Sequence, residues 1–121
     1  MDIIQVNSSS GVRFRVLVQD CNGDNITSTD VSSCKYTVYE IGDFSSRTPV
    51  EHHTNVTVPL TCFLDEAGTD EHSGSAFNFE HRVSAAEHPP FPNCSREYIV
   101  VYLMYDTNGE PHAHEIQCRT N

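Results

Sequence analysis

The strongest constraint on how this chain can fold is an alternation of apolar and polar residues with a period of two. It occurs in VRFRVLVQD and again in AFNFEHRVSA. Successive side chains of a β-strand point to opposite faces, whereas a helix repeats about every 3.6 residues. Both segments are therefore predicted to be half-buried strands. Their apolar sides are formed by Val12, Phe14, Val16 and Val18 in the first, and by Phe77, Phe79, His81 and Val83 in the second, opposite Asn78, Glu80 and Arg82.

Four further segments have the composition of strands. CKYTVYEI, NVTVPLTCFLDE, EYIVVYLMY and HAHEIQCR are rich in β-branched and aromatic residues. Pro59 in the second of them lacks an amide hydrogen and predicts an edge strand or a bulge. The last two flank DTNGEP, where Asn108 followed by Gly109 is typical of a hairpin turn. In NVTVPLTCFLDE one side is predicted to carry Val56, Val58, Leu60, Cys62 and Leu64.

The segments between these strands carry loop signals. GDFSSRTPVEHHT is predicted to be a loop, residues 66–75 a mobile acidic loop, and AEHPPFPNC is too rich in proline for a helix or a central strand. With regular turn signals and no helical periodicity, the chain is predicted to be all-β. We expect an immunoglobulin-like antiparallel β-sandwich of about seven strands. Residues 1–121 are expected to form one domain, with residues 1–10 disordered or in an edge strand.

The segment EYIVVYLMY is apolar on both of its faces. One face carries Tyr98, Val100, Tyr102 and Met104, and the other carries Ile99, Val101, Leu103 and Tyr105. Such a strand is predicted to lie in the centre of the fold, or else to cover a partner subunit with one of its faces.

The charge balance argues against nucleic acid as a partner. There are 17 acidic and 7 basic residues, a net charge of −10, and Lys35 is the single lysine. A phosphate backbone would be repelled. No apolar run approaches the roughly 18 residues of a membrane span, and the first residues lack the basic and apolar parts of a signal peptide. We therefore expect no membrane association, and a cytoplasmic or virion-associated location.

The cysteines give no metal or redox signature. No C-x-x-C pair occurs, so zinc-ribbon and thioredoxin motifs are excluded. The odd number implies at least one unpaired thiol in an oxidising compartment, while in a reducing one all could be free. The pairing is left open for Cys21, Cys34, Cys62, Cys94 and Cys118.

The segment EPHAHEIQC contains the candidate metal site. In a strand, His112 and His114 point to the same side about 7 Å apart and could share a metal ion. Zinc would need one or two more ligands, and His52, His53, His72 or His81 are candidate donors. The alternative is a polar end of the hairpin. No cofactor is expected.

Other candidate sites are weaker. DCNGDN resembles a calcium loop, but its glycine is misplaced for an EF-hand and Val31 stands where the bidentate glutamate is needed. The acids of the loop after Asp65 could bind a divalent ion weakly. No G-x-S-x-G motif occurs, and Cys94 near His88 is the one candidate nucleophile. We expect no catalytic activity.

The order of segments resembles a group of known proteins. FRVLVQDCNGDNIT, CKYTVYEI, VTVPLTCFLDE, SAFNFEHRVSA and the closing EYIVVYLMYDTNGEPHAHEIQC are similar to small immunoglobulin-like sandwich proteins of phage type and to short planctomycete proteins. The resemblance covers about residues 12–119. It implies a sandwich fold and a structural or virion-like role, without an activity.

The sequence thus favours a non-catalytic structural or protein-binding module, related to virion or surface assembly. A protein partner or a second copy of the chain is the expected partner. Two alternatives remain open: a metal-binding module using His112 and His114, and a small hydrolase with a concave polar pocket.

Overall fold

The computed structural model describes residues 3–8 and 10–121. Within these residues the chain forms nine strands and two short 3₁₀ turns, the latter at Asp43–Ser45 and Leu60–Cys62. The strands are β1 (Ile4–Val6), β2 (Val12–Val16), β3 (Val31–Ile41), β4 (Arg47–Pro49), β5 (Val56–Thr57), β6 (Phe63–Thr69), β7 (Ala76–Val83), β8 (Glu97–Asp106) and β9 (Pro111–Thr120).

The strands form two sheets that pack against each other. The larger sheet has six strands in the order β1-β9-β8-β3-β4, with β5 also paired to β3, and the smaller has the order β2-β7-β6. Among the paired strands, β1 and β9 are parallel and the other pairs are antiparallel. The predicted all-β antiparallel sandwich is confirmed, with nine strands in place of about seven.

One hydrophobic cluster fills the space between the sheets. Phe14 of β2, Phe79 of β7 and Tyr102 of β8 are almost completely buried. The ring of Tyr102 meets those of Phe79 and Phe14 edge to face, with centroids 4.9 and 6.3 Å apart. Aromatic pairs prefer this arrangement. The sequence predicted that Phe14 and Phe79 point to the core from their alternating segments, and this is confirmed.

The predicted terminal hairpin is confirmed. Strands β8 and β9 pair in antiparallel register from Glu97 to Tyr105. The turn is closed by the Asp106 amide, which donates to the Glu110 carbonyl, and Gly109 adopts a positive φ of 83°. Glycine takes this left-handed conformation without the steric penalty of a side chain. Strand β8 lies between β9 and β3, so its predicted central position is also confirmed.

Two predicted strand boundaries are wrong because of Pro59. NVTVPLTCFLDE was expected to form one strand, but it contains β5, a 3₁₀ turn and the start of β6. Proline cannot donate to a sheet ladder. The turn after Pro59 shifts the alternation, so that Phe63 is buried in the core and Leu64, the predicted inward residue, lies on the other side.

Two predicted loops contain strand. Residues 66–75 were expected to be a loop, but β6 continues to Thr69 because Gly68 and Thr69 pair with β7. In GDFSSRTPVEHHT the residues of β4 pair with the end of β3. The first ten residues include the edge strand β1, one of the two predicted outcomes, whereas Met1, Asp2 and Ser9 lie outside the described residues.

One polar side chain is completely buried. Asn78 of β7 was assigned to the polar side of its strand, yet it is 0% exposed. Its Oδ1 accepts the Val18 amide at 2.6 Å, and its Nδ2 donates to the carbonyls of Val18 and Ile26 at 2.8 and 3.0 Å. The predicted strand VRFRVLVQD therefore ends at Val16, since Asn78 replaces the backbone of β7 as the partner of Val18.

Candidate functional site

The two predicted metal ligands lie near the turn end of β9. His112 Nε2 is 3.2 Å from Asp106 Oδ2, and His114 lies opposite Tyr102 on the neighbouring strand. Burial lowers the pKa of the His114 imidazole. Across residues 3–8 and 10–121, no group of three His, Cys, Asp or Glu side chains is arranged to hold a metal ion.

The other histidines considered as ligands form no metal-binding group with His112 and His114 among the described residues. His52, His53 and His81 border a cavity of about 410 Å³ beside Tyr36. His72 lies in the turn between β6 and β7, where it is exposed. The structure therefore brings none of these donors to His112 and His114.

We expect the purified protein to hold less than one equivalent of zinc after dialysis. A structural zinc ion needs four ligands, and among the described residues neither His112 nor His114 belongs to a group of three such donors. Elemental analysis of the wild type, His112→Ala and His114→Ala measures this. One equivalent in the wild type that both substitutions remove would contradict the expectation and support the metal hypothesis.

Acidic side chains at the same end of the molecule shape turns. They border a cavity of about 430 Å³ that also touches His112. Asp106 Oδ1 accepts the amides of Asn108 and Glu110, and these bonds together with His112 hold the pKa of Asp106 below its usual range. Asp20 Oδ1 likewise accepts the amides of Asn22 and Asp24. These carboxylates are thus committed to the turns that follow them.

The histidines beside Tyr36 are bound into the protein. His53 Nε2 donates to the His88 carbonyl at 2.7 Å, and its Nδ1 accepts the Tyr36 hydroxyl at 2.9 Å. His81 Nδ1 is 2.8 Å from the Tyr102 hydroxyl. Among the described residues, no serine or threonine hydroxyl and no cysteine thiol hydrogen-bonds to a histidine. A nucleophile activated by an adjacent base would show such a bond.

The candidate nucleophile Cys94 is exposed in the proline-rich loop. The other cysteines are also unpaired in this structure, with Cys34 and Cys118 buried, Cys62 partly buried and Cys21 exposed. Burial raises the pKa of Cys34 to about 12 and that of Cys118 to about 12, which keeps both thiols protonated. These two side chains therefore act as small apolar core residues.

Stability should fall between pH 7.5 and pH 5. Burial lowers the pKa of His81 and of His114, so both rings are neutral in the folded protein. In the unfolded chain histidine titrates near pH 6.5, so acidification protonates the unfolded state first and favours it. The loss begins near pH 6.5 and continues as the pH falls through the folded pKa values. Urea unfolding at a series of pH values measures it.

Two variants test the origin of this pH dependence. His81→Gln should show a smaller decrease in unfolding free energy over the same range, because one of the two groups is gone. His72→Gln should decrease as the wild type does, since His72 is exposed in a turn. The range stops at pH 5 because the lowered pKa of Asp70 and of Asp106 affects stability at lower pH. Equal slopes for His81→Gln and the wild type would contradict the assignment.

The larger sheet has one face that the smaller sheet does not cover, here called the outer face. Along β8 the side chains Tyr98, Val100, Tyr102 and Met104 point to the core and are at most 2% exposed. The alternate residues point to the outer face, together with those of β3. The apolar members of the outer face are Tyr39, Ile41, Ile99, Val101, Leu103 and Tyr105, and their exposure ranges from buried at Ile99 to 40% at Tyr105.

A charged pair crosses this apolar part of the face. Arg47 of β4 donates to Glu115 of β9 at 3.0 Å, which joins the two sides of the face across β3 and β8. The Arg47 guanidinium also lies 6.0 Å from the centre of the Tyr39 ring. An apolar centre with a polar rim is the usual anatomy of a protein interface.

The turn between β3 and β4 presents a fully exposed phenylalanine. Phe44 is the most exposed large apolar side chain of the described residues, at 104% of its reference area. Phe44 and Ser45 both have positive φ, 58° and 60°, and the Ser46 amide donates to the Asp43 carbonyl. This is a type I′ geometry, in which Asn and Gly are the favoured residues. Phe44 and Ser45 are therefore held in a strained conformation.

A cavity of about 280 Å³ adjoins this turn. It is bordered by Ser45 of the turn, by Ile41 and Ile99 of the outer face, by Arg47, and by Ile3 before β1. No sequence pattern predicts the cavity, because its walls include residues more than 90 positions apart, such as Ile3 and Ile99. Phe44 could have been noticed as an aromatic residue within the loop GDFSS.

Comparison of the chain with protein-family models, curated proteins and solved structures finds no match in any of the three. The resemblance to immunoglobulin-like phage proteins and short planctomycete proteins stays a prediction. Over residues 3–8 and 10–121 the chain has no helix of the length and apolar character that a membrane span requires.

Proposed function

We propose that this chain is a non-catalytic protein-binding module that docks its partner on the outer face of the larger sheet. The proposal rests on β8, the central strand. Both of its faces are apolar, but the smaller sheet covers only one of them. This agrees with the structural or assembly role that the resemblance implies.

The composition of the outer face supports a protein as the partner. It includes Tyr39 and Tyr105 together with Arg47, and aromatic residues and arginine are enriched at protein interfaces. The single lysine, Lys35, lies at its rim opposite Leu103. Contiguous apolar patches that remain uncovered on a folded protein commonly mark interaction sites.

Affinity capture from the source cells, with matched variants as bait, tests this proposal. We expect the wild-type chain to capture a defined protein, which includes the chain itself, and Tyr105→Glu and Leu103→Glu to lose at least tenfold of that signal. Leu17→Glu serves as the control, because Leu17 is similarly exposed at 39% but follows β2 of the smaller sheet.

Thermal unfolding of each bait establishes that it is folded. An identical set of captured proteins on the wild type and on both outer-face variants would contradict the proposal. The metal-binding hypothesis is separated by the zinc analysis described above. The hydrolase hypothesis predicts turnover of ester or peptide substrates that survives Tyr105→Glu.

A further inference from the structure

We propose that the outer face is occupied by a second copy of this chain, related by a two-fold axis, with Phe44 of each copy inserted into the 280 Å³ cavity of the other. This inference rests on the proposed function, since it names the partner of the same face.

The strained turn is the first support for this role of Phe44. A left-handed conformation costs a non-glycine residue about 1–2 kcal/mol, and here two successive residues adopt it. The Phe44 ring is fully exposed, so it makes no packing contacts that would offset this cost. Strained residues persist at binding sites, where the strain fixes a side chain in its working position. The ring is thus presented in advance as an anchor.

The cavity has the size for an aromatic ring, and its lining is partly apolar, with Glu97 and Gln117 also on its walls. An apolar cavity of about 150 Å³ holds a benzene molecule, so about 280 Å³ accommodates a phenyl group with its methylene. Ile41 and Ile99 supply apolar walls, and Arg47 supplies a guanidinium that can lie over the ring. A cation placed over an aromatic face contributes about 0.5–2 kcal/mol.

The position of anchor and cavity favours a second copy over an unrelated protein. Ser45, the neighbour of Phe44, itself borders the cavity, so the projecting ring and the receiving cavity are adjacent on one molecule. In a two-fold interface the same patch meets itself, and every contact occurs twice. A patch that carries both the anchor and its receptor satisfies this condition.

The charge distribution allows two such acidic molecules to meet at this face. The chain carries −10 overall. Among the strand residues whose side chains point to the outer face, three are basic, Lys35, Arg47 and Arg119, and two are acidic, Glu97 and Glu115, a balance of +1. Glu115 is paired with Arg47, and Glu97 lies opposite Arg119. Repulsion between copies at this face is therefore smaller than the net charge of the whole chain would suggest.

The available area predicts a weak dimer. Strands β9, β8 and β3 over about seven residues, with the three residues of β4, present roughly 380 Å², at about 4.8 Å between strands and 3.3 Å per residue. Phe44 adds roughly 150–250 Å². The total of about 600 Å² per copy is at the lower limit for specific interfaces, and a dissociation constant of about 1–100 μM is expected.

Sedimentation equilibrium of the purified chain tests self-association. Concentrations from about 1 to 500 μM span the expected dissociation constant. The wild type should convert from monomer to dimer. Phe44→Ser should weaken dimerisation at least tenfold without loss of stability, because the side chain it removes is fully exposed. Leu17→Ser removes a comparably apolar surface residue outside the face and should dimerise as the wild type does.

A mixing experiment tests the reciprocal insertion. Ile41→Asp keeps Phe44 but damages the cavity, whereas Phe44→Ser keeps the cavity but lacks the anchor. Each variant alone should be monomeric, and an equimolar mixture should recover part of the dimer through its one intact pair of anchor and cavity.

A variant with the residues that this turn favours, Phe44→Asn with Ser45→Gly, should be monomeric and more stable than the wild type.

Three results would overturn the inference: a wild type that stays monomeric at the highest concentration, a dimer unaffected by Phe44→Ser, or a mixture that recovers nothing. A monomeric wild type that still captures another protein through Leu103 and Tyr105 would refute the second copy as partner while leaving the docking function intact. A wild type that neither dimerises nor captures another protein would refute both proposals.

Discussion

Replacing Asn78 with alanine should destabilise the fold by about 3 kcal/mol or more. The substitution leaves the Val18 amide and the Ile26 carbonyl without their side-chain partner in a site that excludes water, while the Val18 carbonyl still accepts the Ile26 amide. Each buried polar group left unsatisfied costs about 1–3 kcal/mol. Urea unfolding of the wild type and Asn78→Ala measures the difference.

Neighbouring substitutions show whether the loss is specific to Asn78. Asn78→Asp retains an acceptor for the Val18 amide but loses both donors and buries a carboxyl group, so it should be at least as destabilising as alanine. Asn25→Ala removes an exposed bond to Gln19 in the same hairpin and should change stability by less than about 0.5 kcal/mol. An Asn78→Ala variant within 1 kcal/mol of the wild type would mean that water replaces the side chain.

The parts of the fold that the sequence predicted are those with local signals. Strand β7 shows strict alternation, and the β8–β9 hairpin combines two apolar segments with Asn108 and Gly109 at the turn. In both cases the residues that decide the structure lie within a few positions of each other. Such local agreement between pattern and turn chemistry makes a segment predictable.

The features that the sequence did not reveal depend on distant partners. Asn78 binds Val18 and Ile26, which are 60 and 52 residues away along the chain. Within its own strand, nothing distinguishes Asn78 from Glu80 and Arg82, the polar residues assigned to the same side. The 3₁₀ turn after Pro59 was also not predicted. Proline was compatible with either an edge strand or a bulge, and neither indicates how far the alternation of the following residues shifts.

The candidate site was predicted in part. The two apolar faces of EYIVVYLMY predicted either a central strand or a face that covers a partner, and the structure has β8 in the centre with its outer face uncovered. By contrast, attention to His112 and His114 rested on residue type alone. Phe44 and the cavity beside it emerge only when β3, β4, β8 and β9 are assembled.

Replacing Tyr102 with alanine should destabilise the protein by about 3–5 kcal/mol, the usual range when a large aromatic side chain is removed from a core. Tyr102 is 1% exposed, and its ring lies 4.9 Å from Phe79 and 6.0 Å from Tyr36 between centroids. The variant would leave a cavity where both sheets meet. Thermal and urea unfolding of Tyr102→Ala and the wild type measure the loss.

Tyr102→Phe separates ring packing from the hydroxyl group. Burial raises the pKa of Tyr102, so the hydroxyl stays protonated, and it shares a hydrogen bond with His81 Nδ1. The phenylalanine variant keeps the ring and loses this one bond, which should cost about 1 kcal/mol. Equal losses for Tyr102→Ala and Tyr102→Phe would mean that the bond to His81, rather than the aromatic contacts, holds the two sheets together at this point.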